Sequence, residues 1–464
     1  MKKYIALTLV LFIISAAAIV TVATAISADS DRVVYTEKAV YGDKSVADGV
    51  RVTSSSHYKN HLIWDSVYTV GGDAVTDFEF HHLKKYNNGK PHLTALIIHS
   101  GINFGFNANK PASEQKGLAK LYKELYDSLD YEEEGNLTVR LADCYEFYPL
   151  DINVNLPNIH LSTQFNDFED DSFYISTIDG QKAKSVYDEI CEFIKIPVLE
   201  DEYVDIHVKK HRGGSVGFGH GYSDKSADYY SFSTYSTYTD KACYFAINNK
   251  TEQGKTVDFS HIPGGYGVYA LPYGDSTLRA NELSMVYKLD EGVTVNYMTV
   301  NDEQTELIMS VIENGVTYLE VVDLATMKRL QKVEIYEGQS HIIFPMDGFI
   351  TYEFADRVAV LEERDGVYEL KFVCEKFGDG IGETEPFYFK SGMAMDFDGE
   401  RLVIVDNLHM DSGWYDKCGF YIAVYGKEGL LYYGEYESSL DANAQSAYHY
   451  TFNCQPMRNF EVEW

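Results

Sequence analysis

Residues 211–222 read HRGGSVGFGHGY, and within them Gly213-Gly214-Ser215-Val216-Gly217 spells G-x-S-x-G, the pattern that presents a nucleophilic serine in many hydrolases. That chemistry needs a strand arriving at the serine and a helix leaving it, so that Oγ stands clear above a sheet. A strand candidate, EYVDIHVKK, does arrive. No helix leaves, because Gly217, Gly219 and Gly221 alternate with Phe218, His220 and Tyr222, and each glycine costs a helix about 1 kcal/mol. The alternation instead predicts a hairpin turning at His211–Gly214, with side chains on one face and glycines on the other. Ser215 then flanks a turn, and no catalytic residue is assigned. A branched side chain at Gly219 is expected to be harmful, since it would occupy a face read as bare.

Other chemistry is weaker still. A phosphate loop would need a helix N-terminus after the glycines, usually with a lysine, and neither follows. His207, His211 and His220 could meet across the hairpin, but no acidic or cysteine ligand completes a set, and His81-His82 lacks the H-E-x-x-H frame of a zinc site. NDFEDDSF, residues 166–173, lacks the spacing of a calcium loop. No metal and no cofactor is expected. Carboxylate pairs for glycoside hydrolysis are numerically plentiful, with 71 acidic residues, but none is singled out. One stretch stands apart by composition. DYYSFSTYSTYTD, residues 228–240, mixes tyrosine with serine and threonine, a mixture that supplies rigid amphipathic area with adaptable hydroxyls at recognition surfaces. Strict alternation puts Tyr229 and Tyr235 on one face and Tyr230, Phe232 and Tyr238 on the other, so Tyr229 and Tyr235 are the ligand-binding candidates. The competing reading is an ordinary strand with one aromatic face in the core.

The elements that would position these residues are mainly strands. Between Val50 and Phe106, short apolar runs separated by Gly71-Gly72 and Asn87-Asn88-Gly89 predict strands and hairpins. Leu118, Leu121, Leu125 and Leu129 form one stripe at helical spacing after Pro111-Ala112-Ser113, and Val186, Ile190 and Phe193 form another that stops before Pro197. Beyond Leu199 the helices end. Three hairpin candidates then align, YMTVNDEQTELIMSV, IIFPMDGFITYEF and MAMDFDGERLVIV, with Asp302, Asp347 and Asp398 spaced 45 and 51 residues apart. Each is followed by two more strand candidates: VTYLEVV and KRLQKVEIY, RVAVLEE and VYELKFV, FYIAVYG and LLYYGEY. Residues 241–290 offer a degenerate further unit.

Four strands per 45–50 residues is the unit of a propeller blade, and over roughly residues 240–440 the chain resembles β-propeller repeat proteins in period and turn placement. The resemblance implies a mostly-β fold, with β-propeller-like four-stranded units in the C-terminal half and strands plus two helices in the N-terminal part; β-sandwich domains are the alternative. Tyr448–Trp464 reads as one more strand. Because closed propellers leave no free edges, often by joining first and last segments in one blade, deletion of this tail is expected to destabilise the whole domain.

Lys2 and Lys3 precede 25 uncharged residues, Tyr4–Ala28, before the first acids. As a helix this run would span about 37 Å, enough for a bilayer, with the N-terminus inside. Ala23-Thr24-Ala25 equally fits a signal-peptide cleavage site, so anchor and cleaved leader both stay open. Either way the body is expected outside the cytoplasm. A formal charge of −32 argues against nucleic acid and anionic lipid. Six cysteines, 36 to 131 residues apart, contain no C-x-x-C and read mostly as buried thiols, with one disulfide pair among them left open. The expected organisation is a signal or anchor at 1–28, a stalk at 29–48, a mixed region at 49–199 and a propeller-like region at 200–464. The expected function is non-catalytic binding at the cell surface, with a glycan or another surface protein as partner; a polysaccharide hydrolase is the alternative.

Overall fold

The structure is a computed structural model. It describes residues 8, 10–21, 24, 34–58, 62–72, 74–80, 95–102, 104–165, 173–175, 180–212, 216–226, 228–274, 277–340, 342–378, 393–408, 419–439 and 457–464. Ser215, His81, His82, residues 166–172, Cys418 and Cys454 lie outside them.

The chain divides into two compact units, residues 1–91 with 340–464, and residues 92–339. Neither boundary falls at the expected 199/200 division. In the second unit, Val293–Val300, Glu306–Glu313, Val316–Asp323 and Lys328–Glu337 form a four-stranded antiparallel meander. Its central hairpin turns at Asn314 (φ 52°) and Gly315 (φ 82°), the double left-handed geometry that matches strand twist and selects Asn-Gly. The segment expected as a degenerate unit is a sheet of Thr234–Tyr238, Ala242–Ile247 and Gly267–Gly274, with Ser284–Lys288 also pairing to Gly267–Gly274. A third set, Leu96–Ser100, Leu150–Leu156, Ile159–Thr163 and Phe173–Ile175, is again four-stranded. Four-stranded units therefore extend into the N-terminal part. Their period there is hidden because residues 101–149 are inserted between the first and second strands of that sheet.

The insertion carries the helix α1, Gly117–Ser128, and the strand Glu134–Arg140. That strand joins Tyr203–Lys210 and Val216–Tyr222 in a three-stranded sheet. The second helix, α2, spans Gly180–Phe193. Both carry the expected stripes inward: Leu118, Val186 and Ile190 are buried, and Leu121, Leu125, Leu129 and Phe193 pack against the same core.

In the first unit, Ile342–Met346, Phe349–Glu353, Arg357–Arg364 and Val367–Glu375 form one meander. Ala394–Phe397, Leu402–Asn407, Gly419–Gly426 and Gly429–Ser438 form another. All twelve strand segments quoted from 297–436 are strands. Central strands such as Leu402–Asn407 and Gly419–Gly426 are buried along their whole length. A strand covered on both faces loses alternation and reads as a continuous apolar run. Together these sheets make a mostly-β, β-propeller-like architecture, and none of them closes into a barrel.

Chain ends complete two of these sheets. Met457–Glu463 pairs with Arg51–Tyr58 and becomes the outer strand of a sheet that continues through Leu62–Thr69 and Ala74–Phe80. The segment expected as a stalk is instead partly strand: Tyr35–Gly42 pairs antiparallel with Gly429–Ser438. Tyr432 donates its hydroxyl to Glu37 at 3.1 Å, which ties the two strands together. Gly42 (φ 75°) ends the pairing where a Cβ would stand 1.9 Å from the Leu431 carbonyl, so only glycine fits. Residues 10–21 are helical. Among the described residues no helix is long and apolar enough to cross a membrane, and most of the remaining 1–28 segment lies outside them.

Candidate binding cleft

The hairpin reading of the G-x-S-x-G region holds where it is described. Val216–Tyr222 is a strand antiparallel to Tyr203–Lys210, with no helix after it. The register sets Gly217, Gly219 and Gly221 opposite Lys209, His207 and Asp205. The glycine face is open rather than closely approached: a Cβ at Gly219 would meet only the His207 Cβ at 3.8 Å, and one at Gly221 nothing within 4 Å. The expected intolerance of Gly219 to a side chain therefore has no steric basis. The three histidines do not converge. His207 Nδ1 is 2.8 Å from Asn136 Oδ1, His211 lies 3.7 Å from Glu132, and His220 stacks on Phe104 at 3.7 Å. Among the described residues no group of three or more His, Cys, Asp or Glu is arranged to hold a metal.

The tyrosine-rich stretch has a largely internal use. Its strand begins only at Thr234, so alternation does not run through residues 229–238. Ser236 Oγ accepts from the Leu96 N–H at 2.9 Å and donates to the Leu96 carbonyl at 2.8 Å; Thr234 Oγ1 does the same at Ile98, at 3.3 and 3.0 Å. Two hydroxyls at i and i+2 thus stand in for a ladder and join the edge strands of adjacent sheets. Tyr235 is half-buried against the core, and burial raises its hydroxyl pKa. Tyr230 is buried and packs on Phe232 and Tyr148. Tyr229 stacks on Tyr222 with ring centroids 4.4 Å apart. Tyr229 and Tyr235 thus sit in different surroundings rather than on one face. Tyr235→Ala is expected to cost about 2–4 kcal/mol and Tyr229→Ala about 1 kcal/mol. Urea denaturation of both variants checks the ordering, and equal losses would contradict it.

One concave site of the 92–339 unit carries no sequence motif. It is an open cleft of about 460 Å³ lined by Asp143, Tyr145, Glu146, Phe147, Glu200 and His261, with Ala142, Cys144, Pro197 and Val198 between them. Two crossing segments make its walls. The first leaves the strand Glu134–Arg140 through a single tight turn, Leu141–Asp143. The second follows α2, which ends before Pro197 because proline cannot continue it. Phe147 and Pro197 form an isolated antiparallel bridge. On either side of it the Tyr148 N–H meets the Ile196 carbonyl at 2.9 Å and the Val198 N–H meets the Glu146 carbonyl at 3.2 Å.

Arg140 stands at the rim, bonded to Asp143 and 3.5 Å from Glu200. Its hydrogen bond to Asp143 holds that carboxyl below the usual range. The Phe147 ring is flanked by His261, edge-on at 5.3 Å, and by Lys195, whose ammonium lies 6.0 Å from its centroid. Directly behind the walls lies Glu202, fully buried. Tyr148 donates its hydroxyl to the Glu202 carboxylate and accepts the Leu199 N–H at 3.3 Å. Burial lifts Glu202 to about 7, with the nearby Asp228 charge adding to the effect. One signal could have exposed it. Glu202 continues the period-two series of Val204, Ile206 and Val208, all fully buried, although LEDEY reads as a solvated acidic turn.

No protein-family model matches the chain, and no curated protein matches it in sequence. Solved structures share parts of its path. A Lactobacillus plantarum protein is 10% identical, covering 83% of this chain and 98% of its own, with a TM-score of 0.29. A putative 6-phosphogluconolactonase from Bacteroides fragilis is 10% identical over 84% of this chain and 95% of its own, TM-score 0.29. The WD40 domain of Toxoplasma gondii coronin is 8% identical over 86% and 88%, TM-score 0.25. At such scores these likenesses carry no argument, and the β-propeller-like reading stands on the four-stranded sheets themselves.

Proposed function

We propose that the chain is a non-catalytic binding protein, exposed outside the cytoplasm, that takes a neutral or cationic glycan in the cleft between residues 142–147 and 197–200. The cleft carries this reading. The Phe147 ring offers a face for a sugar's apolar side, and Asp143, Glu146 and Glu200 offer acceptors for hydroxyl or amino groups. The charge of −32 disfavours anionic ligands. Exposure outside the cytoplasm is supported by Lys2 and Lys3 before the uncharged run. Hydrolysis would call for a carboxylic acid of raised pKa within reach of substrate. Asp143 is shifted the opposite way, and the raised acid, Glu202, is shut off behind the wall.

The test is a panel of soluble neutral and amino-sugar oligosaccharides, followed by calorimetry and by product analysis. Saturable binding without products is expected, weakened at least tenfold by Phe147→Ala. Turnover that Glu146→Gln or Glu200→Gln abolishes would instead establish a hydrolase.

A further inference from the structure

We propose that Glu202 is a positioning residue of the cleft, acting through Tyr148 as a latch that holds the two walls together at acidic pH and releases them as pH rises through neutrality. Its relevance to binding rests on the cleft being the ligand site, but the latch is a property of the unliganded chain. The geometry is a chain of bonds that crosses both walls. The Glu202 carbonyl accepts the Leu141 N–H at 2.9 Å at the root of one wall. The Glu202 side chain receives the Tyr148 hydroxyl, and that hydroxyl receives the Leu199 N–H of the other. Moving Glu202 therefore moves both walls.

The surroundings favour its neutral form. Facing it are Tyr148 from the first wall, Asp228 from the 228–230 segment, and Tyr222 from the strand Val216–Tyr222; no basic group is among them. Asp228 is fixed by the Thr251 hydroxyl and by the N–H groups of Tyr229, at 2.9 Å, and Gln253, at 3.2 Å, so it does not turn away. The Tyr148 hydroxyl and the Tyr230 N–H favour the ionised carboxylate, but burial and the Asp228 charge outweigh them. An ionised Glu202 has two ways to lower its energy, binding a proton or opening the walls to water. With the closed-state value about 7 and the ordinary value 4.5, ionisation favours the open form by roughly two orders of magnitude.

Amide hydrogen exchange on the full chain tests this without any ligand. Protection at Leu141, Tyr148, Val198 and Leu199, corrected for intrinsic rates, is expected to fall at least tenfold between pH 5.5 and 8. Glu202→Gln should make it change less than twofold; Glu202→Met serves if that variant does not fold. His261→Asn should retain the wild-type profile, because His261 lines the cleft but is no member of the Glu202–Tyr148–Leu199 chain. A flat wild-type profile, or a neutral variant that keeps the wild-type profile, overturns the latch and leaves the glycan panel unaffected. Absence of any binding glycan would remove the cleft's proposed function and leave the exchange result standing.

Discussion

Glu202→Gln is expected to make the protein more stable at pH 8 and to leave it nearly unchanged at pH 4. Glu202 has a folded-state pKa of about 7 against an ordinary 4.5, so its bound proton stabilises the folded protein fully below about 4.5. That stabilisation is lost as pH rises through 7. Above that point the wild type either keeps a carboxylate buried next to Asp228 or opens the cleft walls to hydrate it, and both cost stability. The shift corresponds to roughly 3 kcal/mol, and the amide still accepts the Tyr148 hydroxyl. Urea melts of the two proteins across pH 4–8 should diverge steadily with rising pH. Parallel curves would mean that Glu202 is solvated or paired in a way the structure does not contain. The direction is unusual, since most substitutions of a buried polar group destabilise.

The second large effect is expected from removing residues 457–464. Met457 and Val462 are buried, and burying two such side chains contributes about 3–6 kcal/mol. Asn407, itself fully buried, clamps the Met457 peptide from both sides, donating to its carbonyl at 3.0 Å and accepting its N–H at 3.1 Å. At the other end the Trp464 N–H reaches Asp396 at 2.9 Å, and the Arg401 guanidinium lies 4.1 Å from the Trp464 ring centroid. Truncation leaves Arg51–Tyr58 as an unpaired edge and removes two hydrogen bonds from the buried Asn407 amide. Exchange protection should collapse in Arg51–Thr69 and weaken in Leu402–Asn407, while the meander Val293–Glu337 keeps its own. Unchanged protection in Arg51–Thr69 would show that the terminal strand is an appendage.

This terminal pairing also shows how far sequence reasoning reached. The tail, residues 448–464, is legible as one more strand because it follows the last repeat by about one period; residues 448–456 lie outside the described residues, and Met457–Glu463 is a strand. Its partner was less legible, since Arg51–Tyr58 lies some 400 residues away and β pairing leaves no local trace of which edge is used. Residues 29–48 read as a stalk for a related reason, although Tyr35–Gly42 is a strand. Its pattern of mostly exposed residues is that of an edge strand held by backbone bonds and by Glu37, not by an apolar face.

Local chemistry determined a good deal by itself. Asn314-Gly315 and Asp365-Gly366, each left-handed at both positions, and Asp347-Gly348, left-handed at the glycine, mark three hairpin turns of residues 306–375 by local chemistry alone. Stripes at helical spacing likewise named α1 and α2, and three glycines in alternation ruled out a helix after Ser215. Tertiary structure alone decided what those elements are for. Whether Ser236 and Thr234 face a ligand or a neighbouring strand depends on which sheet edge arrives beside them, and it is Leu96–Ser100. Whether Glu202 is a solvated acid or a buried one depends on the arrival of Tyr148, Tyr222 and Asp228 from three separate segments. A carboxyl's pKa is set by the dielectric and charges within a few ångströms, and those come from residues the sequence keeps 20 to 54 positions away.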